Sequence, residues 1–232
     1  MKTLGLLGGM SWESTAVYYR LLNQGVAQRL GGLHSARLLL HSVDFAPMAA
    51  QQAAGDWEAA ASTLTDAARG LARAGVQGLL LATNTMHKLA DRIENAAGLP
   101  LLHIADATGA ALKAAGVQHV ALLGTRFTME DDSIVLARWR QRFGLSVRVP
   151  DAAGRALIHQ IVYDELCRGR VLDASRDAVV TLIETQRQQG AQAVILGCTE
   201  IGLMIDADCS PLPPFDTAAL HAAAAVDWML DD

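Results

Sequence analysis

The chain carries a faint copy of itself. Residues 4–9 read LGLLGG and residues 120–125 read VALLGT; residues 75–83 read GVQGLLLAT and residues 190–198 read GAQAVILGC. The first pair is offset by 116 positions (4 to 120), the second by 115 (75 to 190). Two separate matches at nearly one spacing predict two similar halves built from the same supersecondary units. The chain of 232 residues is long enough for two small domains. The duplication divides it into a first domain of residues 1–115 plus 212–232 and a second of residues 116–211.

Local patterning says what each half contains. Thr3–Leu7 is a short apolar run ending in Gly8-Gly9, which predicts a buried strand feeding a glycine loop. Further strands are predicted at 36–43, 78–82, 101–103, 120–123, 146–149 and 193–196. Between them, helical patterns run from Ser11 through Leu30 and over 57–74, 86–95, 105–114, 130–143, 155–168, 174–189 and 217–230. Pro211, Pro213 and Pro214 predict a turn-rich crossing segment before the last helix. Strands alternating with helices imply an α/β fold: two similar, pseudo-symmetric domains, each a parallel sheet covered by helices on both faces. Ligands in such folds sit beyond the carboxyl ends of the strands. The positions that matter are therefore Gly8–Ser11, Asp44, Thr83–Thr85, Asp106, Gly124–Thr128 and Cys198–Glu200.

Charge and composition narrow the function. A formal charge of −5 argues against nucleic acid as the main partner. No window is long and apolar enough to predict a membrane span, and the N-terminal MKTLGLLGG reads as a first strand rather than a leader. The three cysteines, Cys167, Cys198 and Cys209, fit neither a zinc module nor a disulfide framework, and an odd count suits the cytoplasm. There is no H-E-x-x-H, no C-x-x-C and no dense acidic set, so no catalytic metal is expected. Gly8-Gly9-Met10-Ser11 lacks the later glycine of a dinucleotide fingerprint and the Lys of a phosphate loop. It reads as a close approach of backbone to a small ligand.

The paired strand exits point to chemistry. Thr83-Asn84-Thr85 occupies the repeat position of Cys198-Thr199-Glu200. If the halves face each other, two small polar side chains approach one ligand from opposite sides. Racemisation at an α-carbon needs one group to remove a proton from one face and another to return it on the other. Cys198 is the better base, since a thiol ionises near pH 8.5 in its reference state. Thr83 is a very weak acid and would need water or a neighbour to relay a proton. Asn84, Thr85 and Thr199 can hold a carboxylate with hydroxyl, amide and nearby N–H groups. Thr125, Phe127 and Thr128 belong to the matching loop of the second half. Arg126 in the same loop can pair with a substrate carboxylate, or lie on the surface. His87 and Glu200 are candidates for a supporting role behind the reacting groups; Asp106 and Asp216 are weaker ones, for structural bonds.

At these residues the sequence resembles the aspartate/glutamate racemase family, and most closely its bacterial L-aspartate/glutamate-specific branch. The resembling segments are LGLLGGMSWESTAVYYRLLNQ (4–24), LGGLHSARLLLHSVDF (30–45), ATNTMHKLAD (82–91), LLHIADATG (101–109), ALLGTRFTMEDD (121–132) and GCTEIGLM (197–204). The resemblance implies an active site in a cleft between two domains, with no pyridoxal phosphate and no metal. Most members use two cysteines; Cys198 matches the second, and Thr83 stands where the first would be. It further implies that Cys198 faces the α-hydrogen of the L-enantiomer and Thr83 serves the D face. Met10, Gln52, Asn84, Thr85, Thr125, Phe127, Thr128 and Thr199 match the family's substrate-cleft residues, and a homodimer is expected. Related enzymes often carry a Lys near the start of the helix at 155–168. This chain reads GRALIHQ there, with Leu157 and no Lys, so Arg155 or His159 would compensate, or the pocket takes less acidic side chains. Three other readings stay open. One is an isomerase for hydantoins, maleate-like acids or neutral amino acids. A second is a one-sided lyase. The third is an amino-acid-binding protein without catalysis.

Overall fold

Runs such as LGLLG and GLLL are apolar at every position, and only a strand covered on both faces can bury them all. The computed structural model, which describes residues 1–129 and 134–231, has two such sheets. Packing divides the chain into Met1–His103 with His221–Asp232, and Ile104–Leu220. The duplication had instead placed the divisions at 115 and 211, so residues 104–115 and 212–220 fall differently.

The first unit contains β1 (Leu4–Gly8), α1 (Trp12–Leu30), β2 (Leu38–Ser42), α2 (Phe45–Ala54), α3 (Trp57–Arg73), β3 (Gly78–Leu81), α4 (Ala90–Ala97) and β4 (Leu101–Leu102). Its sheet has the order β2-β1-β3-β4, with all neighbours parallel. Asp56 starts α3 by accepting the Ala59 N–H at 3.0 Å, and Ala60, Ala61, Leu64, Ala67, Ala68 and Leu71 form its buried stripe. Small side chains on this stripe let the helix lie close to the sheet.

The second unit contains α5 (Ile104–Ala114), β5 (His119–Leu123), α6 (Arg126–Met129), α7 (Ile134–Phe143), β6 (Ser146–Arg148), α8 (Ala152–Asp164), α9 (Asp173–Gln188), β7 (Ala193–Leu196), β8 (Pro214–Asp216) and the start of α10 (Thr217–Leu230). The sheet order β6-β5-β7-β8, again parallel, repeats the first. Trp139 is fully buried and donates its indole N–H to the Ala105 carbonyl at 2.9 Å, which fixes α7 on α5. Asp106 makes a structural ion pair with Arg138 at 2.6 Å and with Arg142 at 3.1 Å.

The segment after Asp44, for which the sequence reading gives no element, is a helix, α2. Two expectations are corrected. The proline-rich segment contains a strand, β8, on the edge of its sheet, where a proline costs no ladder hydrogen bond. The helix expected at 155–168 starts earlier and breaks after Asp164 into a 3-10 turn, Leu166–Arg168. The first residues of the helix expected at 130–143 lie outside the described residues; α7 accounts for the rest. No described helix is long and apolar enough to cross a membrane.

Candidate active site

Strand order decides where a ligand can sit in each unit. In the first sheet the chain leaves β1 toward β2 on one side and returns through β3 on the other. The crevice at that reversal opens beyond the carboxyl ends of β1 and β3. The second sheet reverses in the same way between β5 and β7.

In the first unit, the β1 exit is a tight loop of named hydrogen bonds. The Gly9 N–H donates to Thr15 Oγ1 at 2.8 Å, and the Thr15 hydroxyl donates to the Ser11 carbonyl at 2.8 Å. Ser11 caps α1 by accepting the Ser14 N–H at 3.3 Å. The Ser14 hydroxyl reaches the Ala82 carbonyl at 3.3 Å and so ties the β1 exit to the β3 exit. Gly9 has φ of +90°, and a Cβ there would stand 2.2 Å from the Val43 carbonyl oxygen. Only glycine fits that turn. Met10 and Gln52 are buried in this unit, Met10 within its apolar cluster and Gln52 on α2.

The β3 exit places Thr83 half-buried and Asn84 buried, ahead of the 3-10 turn Thr85–Leu89. His87 is fully buried, and its Nδ1 lies 2.7 Å from the Thr83 carbonyl. A carbonyl can only accept, so Nδ1 carries the proton. The His87 ring packs on His103, with centroids 4.6 Å apart, and on His221, at 5.6 Å. The His221 Nε2–H donates to the Leu102 carbonyl at 2.8 Å, which leaves Nδ1 to accept the Tyr18 hydroxyl at 2.9 Å. Burial, followed by the neighbouring His87, pulls the His221 imidazole down to about 3 and keeps it neutral. Thr83 is thus held through its main chain by a stack of imidazoles.

The second unit builds its exit differently. The Gly197 N–H donates to the Leu123 carbonyl at 2.7 Å, which brings the β7 exit against the β5 exit. Cys198 and Glu200 are both buried, 8% and 3% exposed. The Cys198 thiol donates to Glu200 Oε2 at 2.8 Å, and the Thr199 hydroxyl donates to the same oxygen at 2.7 Å. The other oxygen, Oε1, receives the Cys167 thiol at 3.6 Å. Burial, then the Glu200 charge, pushes the Cys198 thiol well above its ordinary range, so it rests as a protonated donor. Tyr163, on α8, is also pushed up, first by burial and then by Cys167, Cys198 and Glu200, so its phenol stays protonated.

The β5 exit is closed on itself. The N–H groups of Thr128 and Met129 donate to the Thr125 carbonyl at 3.0 and 3.1 Å, and the Thr125 and Thr128 hydroxyls lie 3.3 Å apart. The Arg126 N–H donates to His159 Nδ1 at 3.4 Å, while the exposed Arg126 guanidinium stacks over Phe127, 4.9 Å from the ring centroid. His159 packs edge-on against Phe127 and tilted against Tyr163.

The residues singled out in the sequence therefore fall into two groups. Met10, Gln52, Thr83, Asn84, Thr85 and His87 belong to the first unit. Thr125, Arg126, Phe127, Thr128, Cys198, Thr199 and Glu200 belong to the second. Sequence reasoning passed over Tyr163 and Cys167, although His159, Tyr163 and Cys167 share an i, i+4, i+8 spacing along α8 and the turn after it. It also passed over the Tyr18–His221 contact, which joins residues far apart in sequence. Arg155, at the start of α8, is tied to the Pro150 carbonyl at 2.8 Å, and Leu157 is exposed. Among the described residues, no three His, Cys, Asp or Glu side chains are grouped to hold a metal ion.

Comparison with known proteins fits this arrangement. The family model described as Asp/Glu/Hydantoin racemase matches residues 7–225. A provisionally assigned Asp/Glu racemase from Yersinia pestis is 50% identical, with a TM-score of 0.91 and 100% of each chain covered. An aspartate racemase homologue from Pyrococcus horikoshii OT3 is 28% identical, with a TM-score of 0.84 and 100% of each chain covered. The aspartate racemase of Picrophilus torridus shares the fold at 21% identity, with a TM-score of 0.80 over 99% of this chain and 94% of the other. The chain belongs to the Asp/Glu/hydantoin racemase family and is an amino-acid racemase by class.

Proposed function

We propose that the protein racemises L-aspartate, L-glutamate or both to the D-enantiomer by direct proton transfer at the α-carbon, without a cofactor. Cys198 acts on the L face and Thr83 on the D face. The observation that carries this reading is the 2.8 Å contact from the Cys198 thiol to the buried Glu200 carboxylate. A thiol held protonated is no base by itself. Glu200 is positioned to accept its proton, and the thiolate so formed removes the α-hydrogen of the L substrate. A proton then reaches the opposite face from the Thr83 hydroxyl, which is replenished from water because a threonine alkoxide is not populated near neutral pH. The reading draws support from the family match and from the repeat that makes Thr83 and Cys198 equivalent strand exits.

The substrate carboxylates need donors fixed in advance of the reaction, where an enolate-like charge develops. Asn84 and Thr85 offer side-chain donors in the first unit. In the second, the Thr199 hydroxyl proton is already given to Glu200, and Arg126 supplies a cation beside Phe127. Met10, Gln52, Thr125, Phe127 and Thr128 complete the binding surfaces in this proposal. The partner is a small amino acid, the setting cytoplasmic, and the assembly a homodimer. The exposed Leu39 and Leu40 of the edge strand β2, with the fully exposed Leu33, are apolar surface that a second copy would cover. Sedimentation at micromolar concentration tests that point; a monomer would remove it.

The activity is tested in D₂O with L-Glu, L-Asp and several neutral L-amino acids, with no cofactor added. NMR follows α-hydrogen loss and chiral chromatography follows product handedness. Exchange with D product from an acidic substrate is expected. Exchange without D product would keep Cys198 as a base and remove Thr83 as its partner. Binding without exchange would leave a racemase-like fold that only binds amino acids.

A further inference from the structure

We infer that the open edge of β2 pairs with β2 of a second copy, antiparallel about a two-fold axis at Leu40. The pairing rests on the reading of the assembly as a homodimer and adds where, and in what register, the copies meet. An open strand edge is a template for another strand, and chains block it with charge, proline or brevity. Among the described residues, three of the four sheet edges are blocked in this way. β4 is two residues long, β6 is three and ends in Arg148, and β8 begins with Pro214 and ends in Asp216. β2 is the exception. It has five residues, LLLHS, with no charge, no proline and no break in its register with β1. Leu39 and Leu40 are 38% and 45% exposed on it.

The register follows from the hydrogen bonds that β2 already makes. The Arg37 carbonyl accepts the Leu4 N–H at 2.9 Å, and the Val43 N–H donates to the Gly8 carbonyl at 3.0 Å. Main-chain groups of alternate residues point to the same side of a strand, so residues 37, 39, 41 and 43 face β1. Leu38, Leu40 and Ser42 therefore face the open edge. In an antiparallel pair, edge-facing residues stand opposite edge-facing residues. A two-fold at Leu40 uses all three: Leu38 meets Ser42 of the other copy, Leu40 meets Leu40, and Ser42 meets Leu38. An axis at Leu39 or His41 loses one of the three. Charge favours the same arrangement. Arg37 and Asp44, both exposed, bracket the strand. Antiparallel pairing sets the Arg37 end of each copy against the Asp44 end of the other, whereas parallel pairing sets like against like. Helix α1 supplies flanking surface. Leu40 and Thr15 of α1 both stand against Gly8, and Asn23 of α1 accepts the Ala36 N–H at 3.0 Å, so the helix runs beside the strand. Trp12, Ala16, Tyr19 and Asn23 share one face of that helix, and the two rings are 68% and 54% exposed. Trp and Tyr are side chains enriched where two protein surfaces meet.

The experiment measures the dimer dissociation constant of the full chain by sedimentation equilibrium, and circular dichroism checks the fold of each variant. Because Leu40 meets itself, Leu40→Lys and Leu40→Glu each set like charges at the axis. Each should weaken the dimer by about 100-fold or more. An equal mixture of the two should restore it as a dimer with one copy of each, which native mass spectrometry identifies by mass. Arg37→Glu sets like charges at both ends of the ladder and should weaken the dimer by about tenfold. Leu172→Lys, at a leucine 46% exposed in the second unit, should leave it unchanged. A dimer that survives Leu40→Lys overturns the pairing and leaves the homodimer reading standing on another face. A Lys–Glu mixture that stays monomeric, or equal dissociation by Leu172→Lys, also overturns the pairing alone. A wild-type chain that is monomeric at micromolar concentration ends both.

Discussion

The two halves of this molecule share a strand order and differ in what they put at its exits. Both sheets run edge, centre, centre, edge with parallel neighbours, and both reverse direction at the same step. At the first reversal, a threonine is held through its carbonyl by a buried histidine, with further imidazoles behind. At the second, a thiol and the neighbouring hydroxyl donate hydrogen bonds to one oxygen of a buried carboxylate. A duplicated fold thus fixes where the strand exits lie without fixing which side chains gather there. One exit gathers imidazoles behind a main-chain carbonyl, the other gathers hydrogen-bond donors around a carboxylate.

The largest expected effect would expose that difference. Cys198→Ala should lower L-side α-hydrogen exchange by about 10²–10⁴-fold, the usual range for loss of a general base. Thr83→Ala should suppress D-product formation while keeping exchange of L substrate. Equal loss of both rates in both variants would mean that the exits do not divide the work by face. Exchange kinetics with each enantiomer in D₂O decide between these outcomes.

A second comparison concerns the loops before those exits. Gly9 and Thr125 stand at matching positions of the repeat, offset by 116 (9 to 125). Gly9→Ala places a Cβ 2.2 Å from a main-chain oxygen at φ of +90°, and should cost about 3 kcal/mol or more of stability. Thr125→Ala removes one hydroxyl contact and should cost about 1 kcal/mol. Urea unfolding midpoints measure both. Similar costs would mean that the first loop relaxes more freely than its backbone geometry allows.

The smallest effect is a slope. His221 is held neutral, with its imidazole drawn down to about 3 from 6.5. The unfolded chain therefore binds a proton that the folded chain refuses. Stability from this group is fully present above about pH 6.5 and is lost as pH falls toward 3, at about 1.4 kcal/mol per unit. Unfolding free energies between about pH 6.5 and 5, above the carboxylate range, read it out. A flat dependence in the wild type, or an undiminished slope in His221→Gln, would contradict the buried neutral imidazole.

Much of the architecture was legible because it is written as period and repeat. All-apolar runs announced the central strands, and the duplication announced that they come in two sets. The parts that were not legible depend on contacts between distant residues. Asp44 caps α2 and Pro47 sits in its first turn, where proline is tolerated, but a short helix close behind a strand looks like a connection. The prolines before β8 read as turn signals because nothing local says that the strand will lie on an edge. Cys198 and Glu200 were found from spacing. The contact of Cys167 with Glu200 was not, because its spacing from Tyr163 gains meaning only when the turn after α8 faces the carboxylate. His87 was noticed for its place one turn past Thr83, whereas its packing on His221 required the far end of the sequence.

That far end has a consequence for how the protein is made. The first sheet is complete in sequence by Leu102, yet its unit is finished by the part of α10 that starts at His221. Tyr18 and the Leu102 carbonyl both take their hydrogen-bond partner from that helix, and the Lys2 N–H donates to Met229. On the ribosome, the N-terminal sheet must therefore wait, with an apolar flank open, while the entire second unit is translated. The middle of the chain has its own helices and strands in one continuous stretch and can settle first. The unit whose chain is made first thus receives its closing helix last.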